Sequence, residues 1–319
     1  MRSQFQLLLA CVMAWAAVSS HAQGERPITI VVPTAAGGGN DAMARTIGQK
    51  MSVLLQRPVI VDNKAGANGA LAAEYVARAA PDGHTLMFGY IATHAMNPAL
   101  QKLRYDPVKD FEPVGRVGYS PTLMVLNPAV KARDVKDLVR MVKDQPDAYS
   151  FASAGNGTAP HFTAELFKLS TRTRLLHVPY KGSAPAVMDT ISGQTQLMFP
   201  SLFTALPYVK AGKLKALAIA GSRRSQVLPD VPTLKELGVE GVEVDQWYGL
   251  FAPAGTPREI IVRLNQALNK ALVDPEIVKR IEGHGADVEA STPEQLAELV
   301  KTDLAKWRGV VQRAGLAAD

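Results

Sequence analysis

Residues 31–41, VVPTAAGGGND, connect a β-branched run to a segment with helical spacing. A strand, a glycine turn and a helix start together form an anion site, because unpaired backbone N–H groups converge there and the helix dipole adds positive potential. The anion could be a phosphate, a pyrophosphate or a carboxylate. Which of these binds decides the function that the sequence predicts.

A second element of the same kind is SFASAGNGTAPHF, residues 150–162. It again places a glycine turn at a predicted helix start, where Thr158 is positioned to cap the helix and Pro160 suits its first turn. Two such elements that face each other from separate lobes would clamp an anionic metabolite. The alternative is that both are only tight turns with good helix caps.

The residues after the first glycine turn argue against nucleotides. A triphosphate loop needs Gly-Lys-Ser/Thr, whereas Asn40 and Asp41 follow Gly39 here. An NAD-dependent oxidoreductase remains an alternative, because Gly37-x-Gly39-x-x-Ala42 fits the dinucleotide-binding fingerprint G-x-G-x-x-G/A and Asp62 ends the next predicted strand. Against it, the Asp41 carboxylate would face the pyrophosphate, and nicotinamide cofactors are scarce outside the cytoplasm.

The N-terminus predicts export. Arg2 precedes an apolar run over residues 7–18, and small residues then allow cleavage after Ala22, so residues 1–22 are interpreted as a signal peptide and the protein as periplasmic. The apolar run is shorter than the roughly 20 residues of a membrane-spanning helix. Cleavage would remove Cys11, the single cysteine, so no disulfide or thiolate site is expected in the mature chain. A lipid anchor at Cys11 is the alternative.

Composition excludes several other classes. The formal net charge of +6 is spread among acids, and no basic stripe alternates with aromatic residues, so nucleic acid is not an expected partner. A mild positive field favours anionic ligands instead. His84, His177 and His284 lack metal-ligand spacing, and Ser183 lacks a nucleophile elbow. We therefore expect no metal, no cofactor and no enzymatic activity.

Alternating strand and helix patterns fill most of the chain. From residue 27 to 89 the order is strand, helix, strand, helix, strand, and a second alternating set begins at 149–153. Such alternation predicts an α/β fold with parallel strands and helices on both faces. A chain of 319 residues is longer than one compact core usually manages, so two lobes are expected. The segment 93–114 is predicted to be irregular, ahead of a strand near TLMVLNP.

Six segments occur in a specific order: ITIVVPTAAGGGNDAMAR, PVIVDNKAGANGALAAEYVARAAPDGHTL, APHFTAELFK, HVPYKGSAPAVMD, LPDVPTLKELG and WYGLFAPAGTP. In these segments the chain resembles the periplasmic solute receptors of tripartite tricarboxylate transporters, the Bug-type family. The resemblance runs from Ile28 to about Leu268, nearly the whole mature chain.

This resemblance implies a two-lobed periplasmic-binding-protein fold, type II-like, with crossing hinge strands. Residues 27–122 plus 248–319 are assigned to lobe I and residues 123–247 to lobe II. The implied partners are a small carboxylate and the large and small membrane subunits of a transporter, and the receptor is expected to be a monomer. A sensor that presents its ligand to a membrane histidine kinase would have the same fold, and the sequence does not separate the two functions.

The resemblance also implies that backbone N–H groups hold the ligand carboxylate. The predicted ligand-binding residues are Thr34, Ala35, Ala36, Gly37, Gly38, Gly39, Asn40 and Asp41 (the first loop), Ser153, Ala154, Gly155, Gly157 and Thr158 (in the second loop, 153–158), and His161, Thr93, His94 and Ser183 nearby. Pro200 and Ser201 are included as a departure, because the family commonly has an acid and an amide there. A buried ammonium would need a carboxylate partner, so a dicarboxylate is favoured over an amino acid.

Overall fold

The computed structural model describes residues 26–316. The predicted signal peptide, its cleavage after Ala22 and the lipid-anchor alternative at Cys11 lie outside the described residues. The strands are β1 (Ile28–Val32), β2 (Val59–Asn63), β3 (Thr85–Tyr90), β4 (Phe111–Leu126), β5 (Ser150–Ser153), β6 (Leu176–Pro179), β7 (Leu197–Met198), β8 (Lys215–Ala220), β9 (Asp245–Pro253) and β10 (Asp287–Val288). The helices are α1 (Gly39–Leu55), α2 (Ala70–Ala77), α3 (Asn97–Leu100), α4 (Val135–Asp144), α5 (Ala159–Thr171), α6 (Ser183–Ser192), α7 (Leu202–Lys210), α8 (Arg258–Leu272), α9 (Pro275–Glu282) and α10 (Pro293–Ala314), with a 3₁₀ turn at Ala67–Gly69 and a π-helical turn at Ala92–Met96.

Two groups of parallel strands organise the molecule. In the first sheet β1 pairs in parallel with β2 and β3, and in the second sheet β5 pairs in parallel with β6 and β7. Because helices follow these strands, the loops at their carboxyl ends lead directly into helix N-termini. The predicted α/β fold is confirmed.

Strand β4 belongs to both sheets. It pairs antiparallel with β9 from Phe111 to Pro121, and its continuation from Thr122 pairs antiparallel with β8. A second crossing lies at Val244, whose N–H donates to Ala220 O at 2.8 Å and whose carbonyl accepts from Thr122 N–H at 3.1 Å. The sheets are therefore joined by adjacent, hydrogen-bonded strands. The lobe boundaries given above remain a prediction.

The beginning of β4 corrects one expectation. The sequence predicts irregular structure up to residue 114, but β4 begins at Phe111. The strand shifts register against β9 between Pro113 and Gly115 and again between Arg116 and Gly118. These irregularities remove the two-residue alternation that would identify a strand, and pairing with a distant strand forms it instead.

Alternation along β4 divides the core of the second sheet. Met124 and Leu126 pack in one hydrophobic cluster, while Leu123 and Val125 pack in another. The core of the first sheet also takes in Phe162 of α5, whose ring contacts Trp307 of α10 edge-on at a centroid distance of 5.4 Å. Apolar packing therefore continues from one sheet to the other. Within residues 26–316, no helix combines the length and the apolar character needed to cross a bilayer.

Candidate functional site

The loops after β1, β3, β5, β6 and β7 meet between the two sheets. Carboxyl ends of parallel strands are the usual place for ligand sites in α/β proteins. A cavity of about 20 Å³ lies there, lined by Thr34, Ala35, Gly38, Gly39, Asn40, Tyr90, Ala154, Thr158, Pro160, Ser183, Ser201, Thr204 and Gln246. It is closed on both sides by polar and small residues, and none of these lining side chains is charged.

The N-terminus of α1 points its amides at this cavity. Its N-cap residue, Gly38, has extended backbone angles and no capping side chain, and the first helical hydrogen bond runs from Ala42 N–H to Gly38 O at 3.0 Å. The N–H groups of Gly39, Asn40 and Asp41 therefore have no acceptor within the helix. Gly39 packs against α7, because a Cβ at this position would lie 2.5 Å from Thr204 Oγ1.

Asp41 stabilises the turn rather than facing the cavity. Its Oδ2 accepts from Gly37 N–H and its Oδ1 accepts from Arg45 Nε, each at 2.9 Å. Burial alone would raise the pKa of Asp41, but these hydrogen bonds and the Arg45 charge outweigh burial and hold the pKa below its ordinary value. The Asp41 carboxylate thus accepts from one N–H group of the first loop, and the N–H groups at the start of α1 are left without an acceptor in the helix.

The second loop satisfies most of its own donors. Gly155 N–H donates to Ser153 Oγ at 3.0 Å, Gly157 N–H donates to His161 Nδ1 at 3.2 Å, and Thr158 N–H donates to Gly155 O at 3.3 Å. The Thr158 hydroxyl also donates to Gly155 O, at 2.6 Å, so it does not cap α5. The first turn of α5 is uncapped, and it faces the cavity through Thr158 and Pro160.

Two further helices begin at the same cavity. Helix α6 follows Gly182, which has φ 122° and no capping side chain, and a Cβ on Gly182 would lie 3.6 Å from Ala35 N. Helix α7 is capped by Ser201, whose Oγ accepts from Thr204 N–H at 3.3 Å. Ser201 also hydrogen-bonds Tyr248. Burial raises the pKa of Tyr248 and the hydrogen bond with Ser201 lowers it, and the net result is a pKa of about 12.

A second cavity, of about 60 Å³, adjoins the first. It shares Thr34, Tyr90 and Ala154 with the first cavity and is otherwise lined by Pro33, Gly66, Ala67, Asn68, Gly69, Tyr180, Lys181 and Gly182. The backbone is strained at Ala67 and Asn68, since both have positive φ angles (45° and 55°). Asn68 contacts the second loop, because a Cβ on Gly155 would lie 2.1 Å from Asn68 Oδ1.

The predicted ligand-binding residues divide into those that line the first cavity and those that do not. The lining residues are Thr34, Ala35, Gly38, Gly39, Asn40, Ala154, Thr158, Ser183 and Ser201. The residues that lie in the same loops or the adjacent helix turn without lining it are Ala36, Gly37, Asp41, Ser153, Gly155, Gly157, His161 and Pro200. A role in ligand binding remains a prediction for all of them.

Thr93 and His94 are placed in the core instead. Both are fully buried in the π-helical turn after β3, and neither lines either cavity. The His94 ring stacks on Phe251 at a centroid distance of 3.9 Å, and Thr93 Oγ1 lies 2.9 Å from His94 Nδ1. Burial lowers the pKa of His94 to about 3, so the ring is neutral.

Four of the lining residues were not predicted to bind ligand: Tyr90, Pro160, Thr204 and Gln246. Pro160 was predicted only as a residue of the first turn of α5. Tyr90 is the last residue of β3, and Thr204 lies in the first turn of α7. Gln246 reaches the site because β9 runs antiparallel to β3 and so begins at the carboxyl end of β3; its Nε2 donates to Thr122 Oγ1 at 2.9 Å. The end of a predicted parallel strand could have indicated Tyr90, whereas Gln246 depends on a pairing that no local pattern shows.

The fold and the site together define a two-lobed solute-binding protein of the periplasmic-binding-protein type, with its cleft at the strand ends. A family model described as the tripartite tricarboxylate transporter family receptor matches residues 43–316. BugT of Bordetella pertussis is 35% identical over 302 residues, covering 94% of this chain and 93% of the relative. The chain belongs to this receptor family, which includes Bug proteins.

Two solved structures of relatives have carboxylates bound. MatC from Rhodopseudomonas palustris with bound malate is 38% identical, with a TM-score of 0.87 over 90% of this chain and 99% of that protein. R. palustris Rpa4515 with adipate is 32% identical, with a TM-score of 0.89 over 92% of this chain and 99% of that protein. The carboxylate class of ligand is consistent with a cavity built from helix N-termini.

Proposed function

We propose that this protein is a periplasmic receptor that binds a small dicarboxylate and delivers it to the membrane subunits of a tripartite transporter. The observation that carries the proposal is the convergence of three uncapped helix N-termini, those of α1, α5 and α6, on one cavity with no charged lining side chain. Backbone donors and helix dipoles stabilise an anion without a counter-charge. No chemistry on the ligand is proposed.

The adjoining cavity supports a ligand with two acidic ends. One carboxylate would occupy the cavity at the helix N-termini, and the carbon chain would pass Thr34 and Tyr90 into the second cavity. Lys181 lines that second cavity, its side chain is exposed, and no carboxylate among residues 26–316 pairs with it. Malate and adipate, which are bound in the two relatives, are both dicarboxylates.

The dinucleotide alternative receives less support. Asp62, which would bind a ribose hydroxyl in that interpretation, is paired with Lys64 at 2.9 Å. The cavity at the α1 N-terminus is about 20 Å³, which by this measure holds little more than a water molecule. A ligand can enter only when the loops of the two sheets separate, as expected for a receptor that closes around a small ligand.

A thermal-shift screen tests the proposal. Purified protein would be mixed with monocarboxylates, with malate, adipate and other dicarboxylates, with citrate, with inorganic phosphate and with NAD. A dicarboxylate present at 100 times its Kd should raise the free energy of unfolding by about 2.7 kcal/mol. Stabilisation by phosphate alone, or saturable micromolar binding of NAD, would overturn the proposal. Neighbouring genes for transporter subunits, rather than for a histidine kinase alone, would support delivery over sensing.

A further inference from the structure

Two stacked histidines lie directly behind the second loop. The rings of His161, on α5, and His177, on β6, are 4.5 Å apart and 17° from parallel. On its other side the His177 ring stacks on Phe151 of β5 at 4.7 Å. The buried His161 ring therefore packs on the half-buried His177 ring, which lies on the edge strand β6.

Each ring is connected to a backbone N–H of the second loop. His161 Nδ1 accepts directly from Gly157 N–H at 3.2 Å. His177 Nε2 lies 2.6 Å from Ser153 Oγ, and that oxygen accepts from Gly155 N–H at 3.0 Å. Both connected glycines have positive φ angles, 119° at Gly155 and 77° at Gly157, so the loop depends on these acceptors to hold an unusual backbone path.

We propose that His161 and His177 are positioning residues that hold the second loop in its ligand-binding shape only while His161 is neutral, so that acid weakens carboxylate binding. This inference rests on the proposed function. A neutral imidazole has one acceptor nitrogen, whereas an imidazolium has two donors and no acceptor. Protonation of His161 at Nδ1 would therefore make the ring Nδ1–H and the Gly157 backbone N–H point at each other as two donors. The loop would then turn away from the cavity that Thr158 lines.

The surroundings of the pair hold few other charges. Helix α5 itself carries the Glu165–Lys168 pair (2.7 Å), with Lys168 Nζ 5.7 Å from the Phe151 ring centroid. The elements packed against α5 and β6 add Glu112 and Arg116 of β4, the neutral His94 of the π-helical turn, and Asp303 and Lys306 on the stretch of α10 that contacts Phe162 through Trp307. Strand β5 contributes no charged residue, and β6 contributes only His177.

Binding of adipate or malate, measured calorimetrically between pH 7.5 and 5.5, tests the proposal. The Kd of the wild type should rise several-fold more than that of His161→Asn as the pH falls over this range, because only the wild type has a ring that can gain a proton at this position. The Asn Oδ1 can replace Nδ1 as the acceptor for Gly157 N–H but does not titrate. The titration of the ligand is common to both proteins and cancels in their ratio.

Three further variants separate positioning from general damage. His161→Leu, which lacks the acceptor, should bind weakly at every pH. His177→Gln, which keeps a partner for Ser153, should bind as the wild type does at pH 7.5. His84→Asn makes the same chemical change in the first sheet and should keep the wild-type pH profile. An unchanged pH profile in His161→Asn would overturn the inference.

A measurement without ligand keeps the inference separate from the proposed function. Nitrogen-15 spectra of the histidine rings should show His161 protonated at Nε2 and not at Nδ1 at pH 7.5. The Gly157 amide resonance should shift as His161 titrates. A proton on His161 Nδ1 at neutral pH would overturn the inference even if dicarboxylates bind. Failure of all carboxylates to bind would refute the proposed function, but the protonation state of His161 could still be determined from the spectra.

Discussion

The first and second loops have similar sequences, each with glycines ahead of a helix, but they differ in how many of their backbone N–H groups already have an acceptor. In the first loop a single amide, Gly37 N–H, is taken by Asp41, and the first turn of α1 remains open to the cavity. In the second loop, Ser153, His161 and the Gly155 carbonyl accept from the N–H groups of Gly155, Gly157 and Thr158, respectively. Glycine content therefore indicates where a backbone can turn, whereas the neighbouring acceptors decide which amides are left for a ligand.

The largest effect is expected from giving the first loop its own acceptor. In Gly38→Asp, the new carboxylate at the N-cap would accept from the open amides of α1 and add negative charge to the cavity. Space permits the change, because a Cβ at Gly38 would meet nothing nearer than Ala35 O at 3.7 Å. Adipate affinity, measured by calorimetry, should fall about 100-fold, or ~2.7 kcal/mol.

Two matched variants assign that loss to its cause. Gly38→Ala adds the Cβ without an acceptor and should bind adipate within a few-fold of the wild type. Gly38→Asn adds a neutral cap and should give an intermediate loss. If Gly38→Asp binds as well as Gly38→Ala does, the α1 amides are not the anion site.

The next largest effect concerns contact between the second loop and the strained turn after β2. Gly155→Ala places a Cβ where Asn68 Oδ1 now lies and puts alanine at φ 119°, a conformation that costs about 1–3 kcal/mol. We expect a loss of adipate affinity of about 10-fold or more and, by small-angle scattering, a more open molecule in the presence of ligand. Adding Asn68→Gly should recover part of the affinity, and no recovery would show that the contact with Asn68 does not control closure.

A change in stability, rather than in ligand affinity, should distinguish Asp41 from the acceptors of the second loop. The folded-state pKa of Asp41 lies below its ordinary value of 3.8, so its stabilisation is present above about pH 4 and is lost as the pH falls through the folded-state pKa. Asp41→Asn should therefore lower the free energy of unfolding by about 1.5–3 kcal/mol at pH 7. In urea titrations the difference from the wild type should shrink toward pH 3; a constant difference would contradict the assignment.

Local signals predicted much of the site. The β-branched run at 28–32, the glycines before α1 and the Thr158-Ala159-Pro160 helix start are short-range features, and a strand or a helix begins at each of them. The prediction that Thr158 caps α5 was wrong, because its hydroxyl donates to Gly155 O. Residues brought in by distant pairing could not be predicted in this way. Gln246 lines the same cavity as Tyr90 only because β9 pairs antiparallel with β3, across about half of the chain.

The histidines show the same division between local and distant information. His161 was predicted near the second loop from its position in the α5 start, but its partner His177 lies on another strand and has no spacing that connects the two. The start of β4 was predicted wrongly for a related reason. Its bulges interrupt the two-residue alternation that would identify a strand, and pairing with β9 forms the strand instead. His94 resembles a cleft residue in sequence, yet the π-helical turn directs it onto Phe251.

The absence of charged side chains from the lining of the first cavity has a consequence for release. Binding strength there depends on the alignment of three uncapped helix starts, those of α1, α5 and α6. Those of α5 and α6 follow strands of the second sheet and lie across the cleft from the first loop. Once the sheets move apart, the electrostatic field at the carboxylate in the first cavity decays and water solvates both surfaces, with no ion pair to break in that cavity. We expect separation of the two sheets to be sufficient to release this carboxylate.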